Sequence, residues 1–270
     1  MIGADRPLVL LGAGNMGGAL LRGWLKEGID PAHVLVLDPQ PSEAMRDELS
    51  ARGIRHETSA PDGVKAGILL LAVKPQIMAK AVAAVSSIIG AETVSVSIAA
   101  GISIAHLEEM AGGAVIRAMP NTPAMVGRGI TGCYGNDKVP AEAREAVTQL
   151  LSVSGPVVWV EREELIDAVT AVSGSGPAYA FYLAECMAEA GRQCGLPADL
   201  AMTLARHTVS GAGELMHQAE ADVATLRKNV TSPNGTTAAA LDVLMDEDGL
   251  QPLMTRAVRA AFDRAKALGQ

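Results

Sequence analysis

Four aliphatic residues, Leu8-Val9-Leu10-Leu11, run directly into Gly12-Ala13-Gly14-Asn15-Met16-Gly17 and then into the amphipathic stretch Met16–Lys26. Few folds accept this order. A strand without polar alternation is buried on both faces, which points to a parallel sheet covered on each side by helices. The glycine spacing divides the labour of a strand-to-helix turn: the first glycine allows the tight turn, the second lets a pyrophosphate approach the backbone, and the third lets helix and strand pack closely. Gly12, Gly14, Asn15, Met16 and Gly17 are therefore candidate cofactor-binding residues.

The pattern repeats. Apolar runs at Val34–Leu37, Ile68–Val73, Thr93–Ile98, Val115–Met119 and Val157–Val160 read as strands. They are separated by helical stretches at Ser42–Arg52, Gln76–Ile89, Ile104–Ala111 and Ala141–Leu151. Strand–helix–strand order predicts parallel pairing in a Rossmann-like, doubly wound α/β domain over residues 1–161. Beyond Val160 the strands stop. Helices are expected at Glu163–Val172, Pro177–Cys194, Ala198–Met216, Asp222–Lys228, Thr237–Met245 and Leu250–Leu268. Residues 162–270 thus read as an all-α second domain. Its segment Ala178–Ala190 is apolar almost all round, interrupted by Glu185 and Glu189. A helix apolar on every face is buried on every face, and in so small a domain the economical cover is a partner subunit.

Composition narrows the partners. The net charge of −8 disfavours nucleic acid and anionic membrane. No apolar run approaches the ~18 residues that cross a bilayer. The first residues carry no apolar signal core, and three cysteines without metal-ligand spacing fit a reduced, cytoplasmic setting. No metal site is expected.

In a doubly wound sheet the ligand crevice lies outside the C-terminal ends of the strands. Ala72-Val73-Lys74-Pro75, Ala99-Ala100-Gly101 and Pro120-Asn121-Thr122-Pro123 end strands there. Ala72, Val73, Lys74, Pro75, Ala100 and Asn121 join the cofactor candidates, with Lys74 read either as a phosphate or ribose contact or as a solvated lysine. Asp38 ends the second strand about twenty residues after Gly17, where a carboxylate accepts from ribose hydroxyls. It favours NADH; Arg46 on the next helix could restore NADPH binding, so both cofactors stay open. The bland alternative is an Asp that caps the Pro39-Gln40-Pro41 turn.

A second constellation lies at Val230-Thr231-Ser232-Pro233-Asn234-Gly235-Thr236-Thr237. Ser232 and Pro233 end one helix, and Thr236 and Thr237 begin another. Hydroxyls and free N–H groups at a helix start form a natural anion site.

Together with Asp167-Ala168-Val169-Thr170-Ala171-Val172-Ser173-Gly174-Ser175-Gly176-Pro177-Ala178-Tyr179, this turn closely resembles the pyrroline-5-carboxylate reductase family. The resemblance covers essentially the whole chain, with Gly12–Gly17, Ala72–Pro75 and Met119–Pro123 in the family's order. It implies a Rossmann domain, a helical domain that interlocks two subunits, and further assembly, often into a ring of five dimers. It implies hydride transfer from NADPH or NADH to the C=N carbon of 1-pyrroline-5-carboxylate, a cyclic imino carboxylate, giving L-proline. Carried over by motif, Asn229, Thr236 and Thr237 contact substrate, Glu220 is a nearby acid, and Ser173, Gly174 and Ser175 line the nicotinamide side. Thr237 and Ser175 are the candidate catalytic residues. The family usually has Gly-Gly after Ser-Pro, where this chain has Asn234-Gly235. Asn is tolerated if the position needs positive φ; if it needs an absent side chain, the carboxylate site is altered.

The residue types suit the chemistry. An iminium carbon accepts hydride without a metal, so what remains is to position the reactants. Backbone N–H groups from Asn234 to Thr237 can hold the carboxylate, and Thr237 can donate to the nitrogen as it becomes an amine. Two other enzyme classes share the layout, β-hydroxyacid dehydrogenases and broader imine reductases. The former rely on a lysine in the helical domain, yet beyond Lys138 this chain has only Lys228 and Lys266, neither on the central helix. A non-catalytic nucleotide-sensing protein on the same fold is the alternative outside enzymes.

Overall fold

The structure, a computed structural model, describes residues 2–269. The first strand, β1 (Leu8–Leu11), leads through the glycine turn to α1 (Asn15–Lys26). There follow β2 (Val34–Leu37), α2 (Glu43–Ala51), β3 (Arg55–Glu57), β4 (Ile68–Leu71), α3 (Met78–Ala84), β5 (Val94–Ser97), α4 (Ile104–Ala111), β6 (Ala114–Met119), β7 (Thr131–Gly135), α5 (Ala141–Ser152) and β8 (Val157–Trp159). The eight strands form one sheet in the order β3-β2-β1-β4-β5-β6-β7-β8. Pairing is parallel throughout except between β6 and β7. Strand order reverses direction between β1 and β4, the point at which doubly wound sheets open a ligand crevice.

Both faces are covered. Leu8 and Leu10 face a core built with Leu20, Leu21 and Trp24 of α1, Met45 and Leu49 of α2, and Val147, Leu150 and Leu151 of α5. Val9 and Leu11 face the other core, with Met78 and Val82 of α3 and Leu107 of α4. Alternation along β1 therefore divides one apolar run between two cores. The Trp24 indole N–H donates to the Leu150 carbonyl at 2.7 Å, so this buried polar atom is satisfied.

Three local features differ from the expectation. β3 and β7 lie outside the expected strands: Arg55-His56-Glu57 is a polar edge strand, and Thr131-Gly132-Cys133-Tyr134-Gly135 carries two glycines. β7 is antiparallel to β6, correcting the all-parallel reading. The chain between them is short and holds only a 3-10 turn at Thr122–Val126, whereas a parallel crossover needs a dozen or more residues, usually a helix. The single helix expected over Gln76–Ile89 is broken into a 3-10 turn (Pro75–Ile77), α3 and a second 3-10 turn (Ser86–Ile88). Val85 and the serines after it weaken helix continuation.

After β8 the described chain is helical: α6 (Glu164–Val169), a π turn (Thr170–Gly174), α7 (Gly176–Gln193), α8 (Ala198–Gln218), α9 (Val223–Asn229), α10 (Thr236–Leu244) and α11 (Leu250–Leu268). Strands stop close to the sequence boundary at 161, while the compact units divide later. One runs through Gly174 and includes the last turns from Phe262; the other spans Ser175–Ala261. In the second unit, the buried apolar residues are Ala188, Ala201 and Ala205, with Leu196 packed against them. Phe181 and Tyr182 of α7 are 65% and 66% exposed, and Leu204, Leu215 and Met216 of α8 are exposed too. No helix among the described residues is long and apolar enough to cross a membrane.

Candidate functional site

In the first unit, the glycine turn forms a cradle. Gly12 has φ of 93°, and a Cβ there would lie 2.9 Å from Val73 Cγ1 and 3.0 Å from the Ala72 carbonyl. A Cβ on Gly17 would run into the Gly12 carbonyl. Both glycines are demanded by packing, and Ala72 and Val73 press against the turn. Gly14 differs: a Cβ there would meet nothing within 4 Å. The open space at the second glycine is where a pyrophosphate approaches. Gly14 is also the N-cap of α1 and no side chain caps the helix. Its first N–H groups remain available for an anion. These residues fit a dinucleotide.

Asp38 lies beside this turn. Its Oδ2 accepts from the Ala13 N–H at 2.9 Å, and its Oδ1 accepts from the Gln40 N–H at 2.9 Å. His56 Nε2 donates to the Asp38 carbonyl at 2.9 Å. Asp38 thus performs the turn-capping role and also abuts the glycine loop. Lys74 is exposed at the start of a 3-10 turn after β4, and Ala100 is exposed after β5. Asn121 serves the fold: its Oδ1 accepts from the Ile130 N–H at 3.0 Å, fixing the approach to β7.

One buried ion cluster escaped the sequence reading. Arg117 of β6 is 4% exposed. It donates from Nη1 to Glu163 at 2.9 Å and from Nη2 to Asp167 at 2.8 Å. Glu163 Oε1 also accepts from the Ile104 N–H at 2.9 Å, at the start of α4. One guanidinium thereby ties β6, α4 and α6 together. The available signal was a single arginine within the apolar run Val115-Ile116-Arg117-Ala118, since a buried charge requires partners. Downstream of α6 the helix widens into the π turn, a deformation that favours functional sites. Ser173 Oγ donates to the Val169 carbonyl at 3.0 Å, and a Cβ on Gly174 would meet Met119 Cε at 2.6 Å.

In the second unit, Ser175 occupies the N-cap position of α7 without a side-chain capping bond. Glu220 lies between α8 and α9, and Asn229 is the exposed last residue of α9. Asn234 has φ of 58°, the one non-glycine positive φ among the described residues. The departure from Gly-Gly thus falls where Asn can adopt the left-handed conformation that glycine supplies more readily. A Cβ on Gly235 would press on the rotatable Oγ of Ser232 and lie 3.1 Å from the Ser232 carbonyl oxygen, so the turn is tight there. Gly235 is the N-cap of α10, no side chain caps the helix, and Thr236 and Thr237 form its first turn. The arrangement leaves N–H donors and two hydroxyls at one helix start, as an anion site requires.

Comparison with known proteins matches residues 163–268 to the family model for pyrroline-5-carboxylate reductase dimerisation, and residues 7–101 to that for NADP oxidoreductase, coenzyme F420-dependent. The chain is 39% identical over 267 residues to pyrroline-5-carboxylate reductase of Pseudomonas aeruginosa, covering 97% of each chain. It is 37% identical over 270 residues to that of Corynebacterium melassecola, covering 97% of this chain and 98% of the relative. Among solved structures it resembles a pyrroline-5-carboxylate reductase from Coxiella burnetii, with a TM-score of 0.90, 32% identity and coverage of 98% and 99%. The Plasmodium falciparum pyrroline carboxylate reductase with NADP bound gives a TM-score of 0.79 at 28% identity, with 99% of both chains covered.

Proposed function

The chain belongs to the pyrroline-5-carboxylate reductase family, and from that premise we propose how it works. It reduces 1-pyrroline-5-carboxylate to L-proline, the last step of proline synthesis. The observation that carries the reading is the uncapped start of α10, where backbone donors and the hydroxyls of Thr236 and Thr237 meet.

Bound NADPH or NADH supplies the hydride. The chain's own residues position the reactants. The α1 start and the open face of Gly14 receive the pyrophosphate, with Gly12, Asn15, Met16 and Gly17 shaping the turn. Ala72 and Val73 wall that turn, and Lys74, Pro75, Ala100 and Asn121 stand along the strand ends. The N–H groups of Asn234, Thr236 and Thr237 grip the substrate carboxylate, while that of Gly235 is spent on the Ser232 carbonyl at 3.1 Å. They do so without desolvating a lysine, because helix-start donors are fixed dipoles. Asn229 and Glu220 approach the same ligand. Ser175, whose hydroxyl is not spent on capping, lines the nicotinamide side with Ser173 and Gly174. As hydride reaches the C=N carbon, the π pair moves onto nitrogen. Thr237 donates a hydrogen bond to that nitrogen, directly or through water.

Residues 1–161 serve as the dinucleotide-binding domain, and residues 162–270 bind substrate and join subunits. The exposed Phe181 and Tyr182 support a homodimer formed through this domain. Five such dimers in a ring is the finer assembly implied by the family likeness, and the cytoplasm is the compartment in which this reductase works.

Purified protein with 1-pyrroline-5-carboxylate and either cofactor should oxidise the cofactor and form proline in equal amounts. No turnover with either, under conditions where a known reductase works, rejects the reading. Thr237→Ala and Thr237→Val should each lower kcat about 10²-fold, as loss of a proton-donating group does. An unchanged kcat with only a raised KM in both would remove the donor role while leaving carboxylate binding intact.

A further inference from the structure

Two residues of one strand hold the two ends of the π turn Thr170–Gly174. Arg117 and Met119 alternate with Ala118 along β6, so both project from the same face of the sheet. Arg117 Nη2 donates to Asp167 Oδ1 at 2.8 Å, just before the π turn begins. At its far end Met119 closes on Gly174, where a Cβ would stand 2.6 Å from Met119 Cε. Between these points the helix is loosened by its own side chains. Thr170 Oγ1 donates to the Ile166 carbonyl at 2.8 Å, and Ser173 Oγ donates to the Val169 carbonyl at 3.0 Å. Hydroxyls that bond back to the preceding turn compete with the backbone ladder and bend helices. A segment loosened in this way takes its position from what grips its ends.

Asp167 is not needed to neutralise the arginine. Glu163 already supplies one negative charge, 2.9 Å from Nη1, and the same Oε1 accepts from the Ile104 N–H. With Asp167 the cluster holds one cation and two carboxylates. A further carboxylate in a largely buried setting costs desolvation, which the attraction of a buried pair often does no more than offset. What the second contact adds is direction: a planar guanidinium gripped through two different nitrogens has its orientation fixed as well as its distance.

We propose that Asp167 is a positioning residue for hydride transfer: held by Arg117, it sets the π turn so that Ser173 and Gly174 meet the nicotinamide in the geometry the transfer requires. The inference rests on the reading of those two residues as lining the nicotinamide side, and Asp167 acts through them.

The test is Asp167→Ala in the full-length protein. Arg117 and Glu163 then remain as a formally neutral pair, so the fold should persist, with melting followed alongside. The variant should lose about 10²-fold in kcat, the size that a misplacement of about 1 Å produces. Its KM for the imine and its affinity for NADH or NADPH, measured by calorimetry without substrate, should stay within about twofold, because only the transition-state geometry is lost. Asp167→Asn keeps an acceptor for Arg117 Nη2 and should restore most of kcat. With cofactor deuterated at the transferred position, the isotope effect on kcat in Asp167→Ala should be no smaller than in the unmodified enzyme. Should Asp167→Ala fail to fold, Arg117→Lys, which keeps the charge but not the two-pronged grip, should show the same signature with a smaller loss of kcat. An unchanged kcat, a loss matched by weaker cofactor binding, no restoration by Asp167→Asn, or an isotope effect falling to one overturns the proposal and leaves the reductase reading intact. No turnover by the unmodified protein with either cofactor overturns both.

Discussion

The two compact units bury their apolar surface in opposite ways. In the first, every residue of β1, β2, β4 and β5 is buried, and helices from both sides close two cores. In the second, three alanines form the buried cluster, while Phe181, Tyr182, Leu204 and Leu215 stand exposed. Exposed aromatic and aliphatic residues on neighbouring turns of a helix are a surface awaiting cover. The first unit is stabilised within one chain, whereas the second, which matches the dimerisation family model, leaves apolar surface for an oligomer to cover. The same division runs through the proposed function: a cradle for the cofactor within one chain, and a substrate turn on helices that a partner would cover.

The largest expected effect would break the first unit. Arg117→Met leaves Glu163 and Asp167 without their cation in a largely buried setting. Removing one partner of a buried pair costs about 3–5 kcal/mol; with Glu163 partly exposed, the lower end is expected. Chemical denaturation should show this loss at any protein concentration. Arg117→Lys should lose less, since a point charge replaces part of the two-pronged contact.

Next in size is an effect confined to the second unit. Phe181→Glu places a charge on the exposed aromatic surface of α7. Loss of a central aromatic anchor costs ~2 kcal/mol or more, which should shift the protein toward monomer in sedimentation and lower turnover together. The far-ultraviolet signature of the sheet should persist. Association unchanged by this variant would mean that α7 is covered by something other than a second copy.

A smaller effect concerns the substrate turn. Asn234→Ala forces a residue with a Cβ and no local side-chain hydrogen bond into φ of 58°, at ~1–2 kcal/mol. Asn234→Gly should keep stability within a few tenths of a kcal/mol. If Asn234→Gly changes KM for the imine strongly, the Asn side chain itself touches the substrate.

These contrasts show what was legible in the chain before its fold was known. The buried strands and the glycine turn were readable because an apolar run without alternation has few alternatives. The exposed α7 face was readable from the same rule applied to a helix. β7 was not, because Gly132 and Gly135 hide a strand pattern; Gly132 is there because a Cβ would press on Val169 of α6, 2.7 Å from its Cγ1. The ion cluster depends on contacts between residues 46 and 50 positions apart in the chain, which no local pattern encodes. At Asn234 the sequence posed the right choice, and backbone geometry was needed to favour positive φ.

The smallest predicted effect returns to the first unit. Burial pushes the Cys133 thiol up to about 12 from 9.0, against the opposing pull of Arg144. The folded state therefore keeps the proton after the unfolded chain has lost it. The corresponding stability is present below pH 9 and declines between about 9 and 12. At pH 8 an alkylating reagent should spare Cys133 until the chain unfolds, measured by mass spectrometry of the digested protein.

The central claim, a self-sufficient cofactor unit joined to helices completed by a second copy, is tested most directly by the molar mass of the unmodified protein. Size-exclusion chromatography with light scattering, at the concentration used for turnover, should return a dimer or a multiple of it. A stable, fully active monomer would contradict the account.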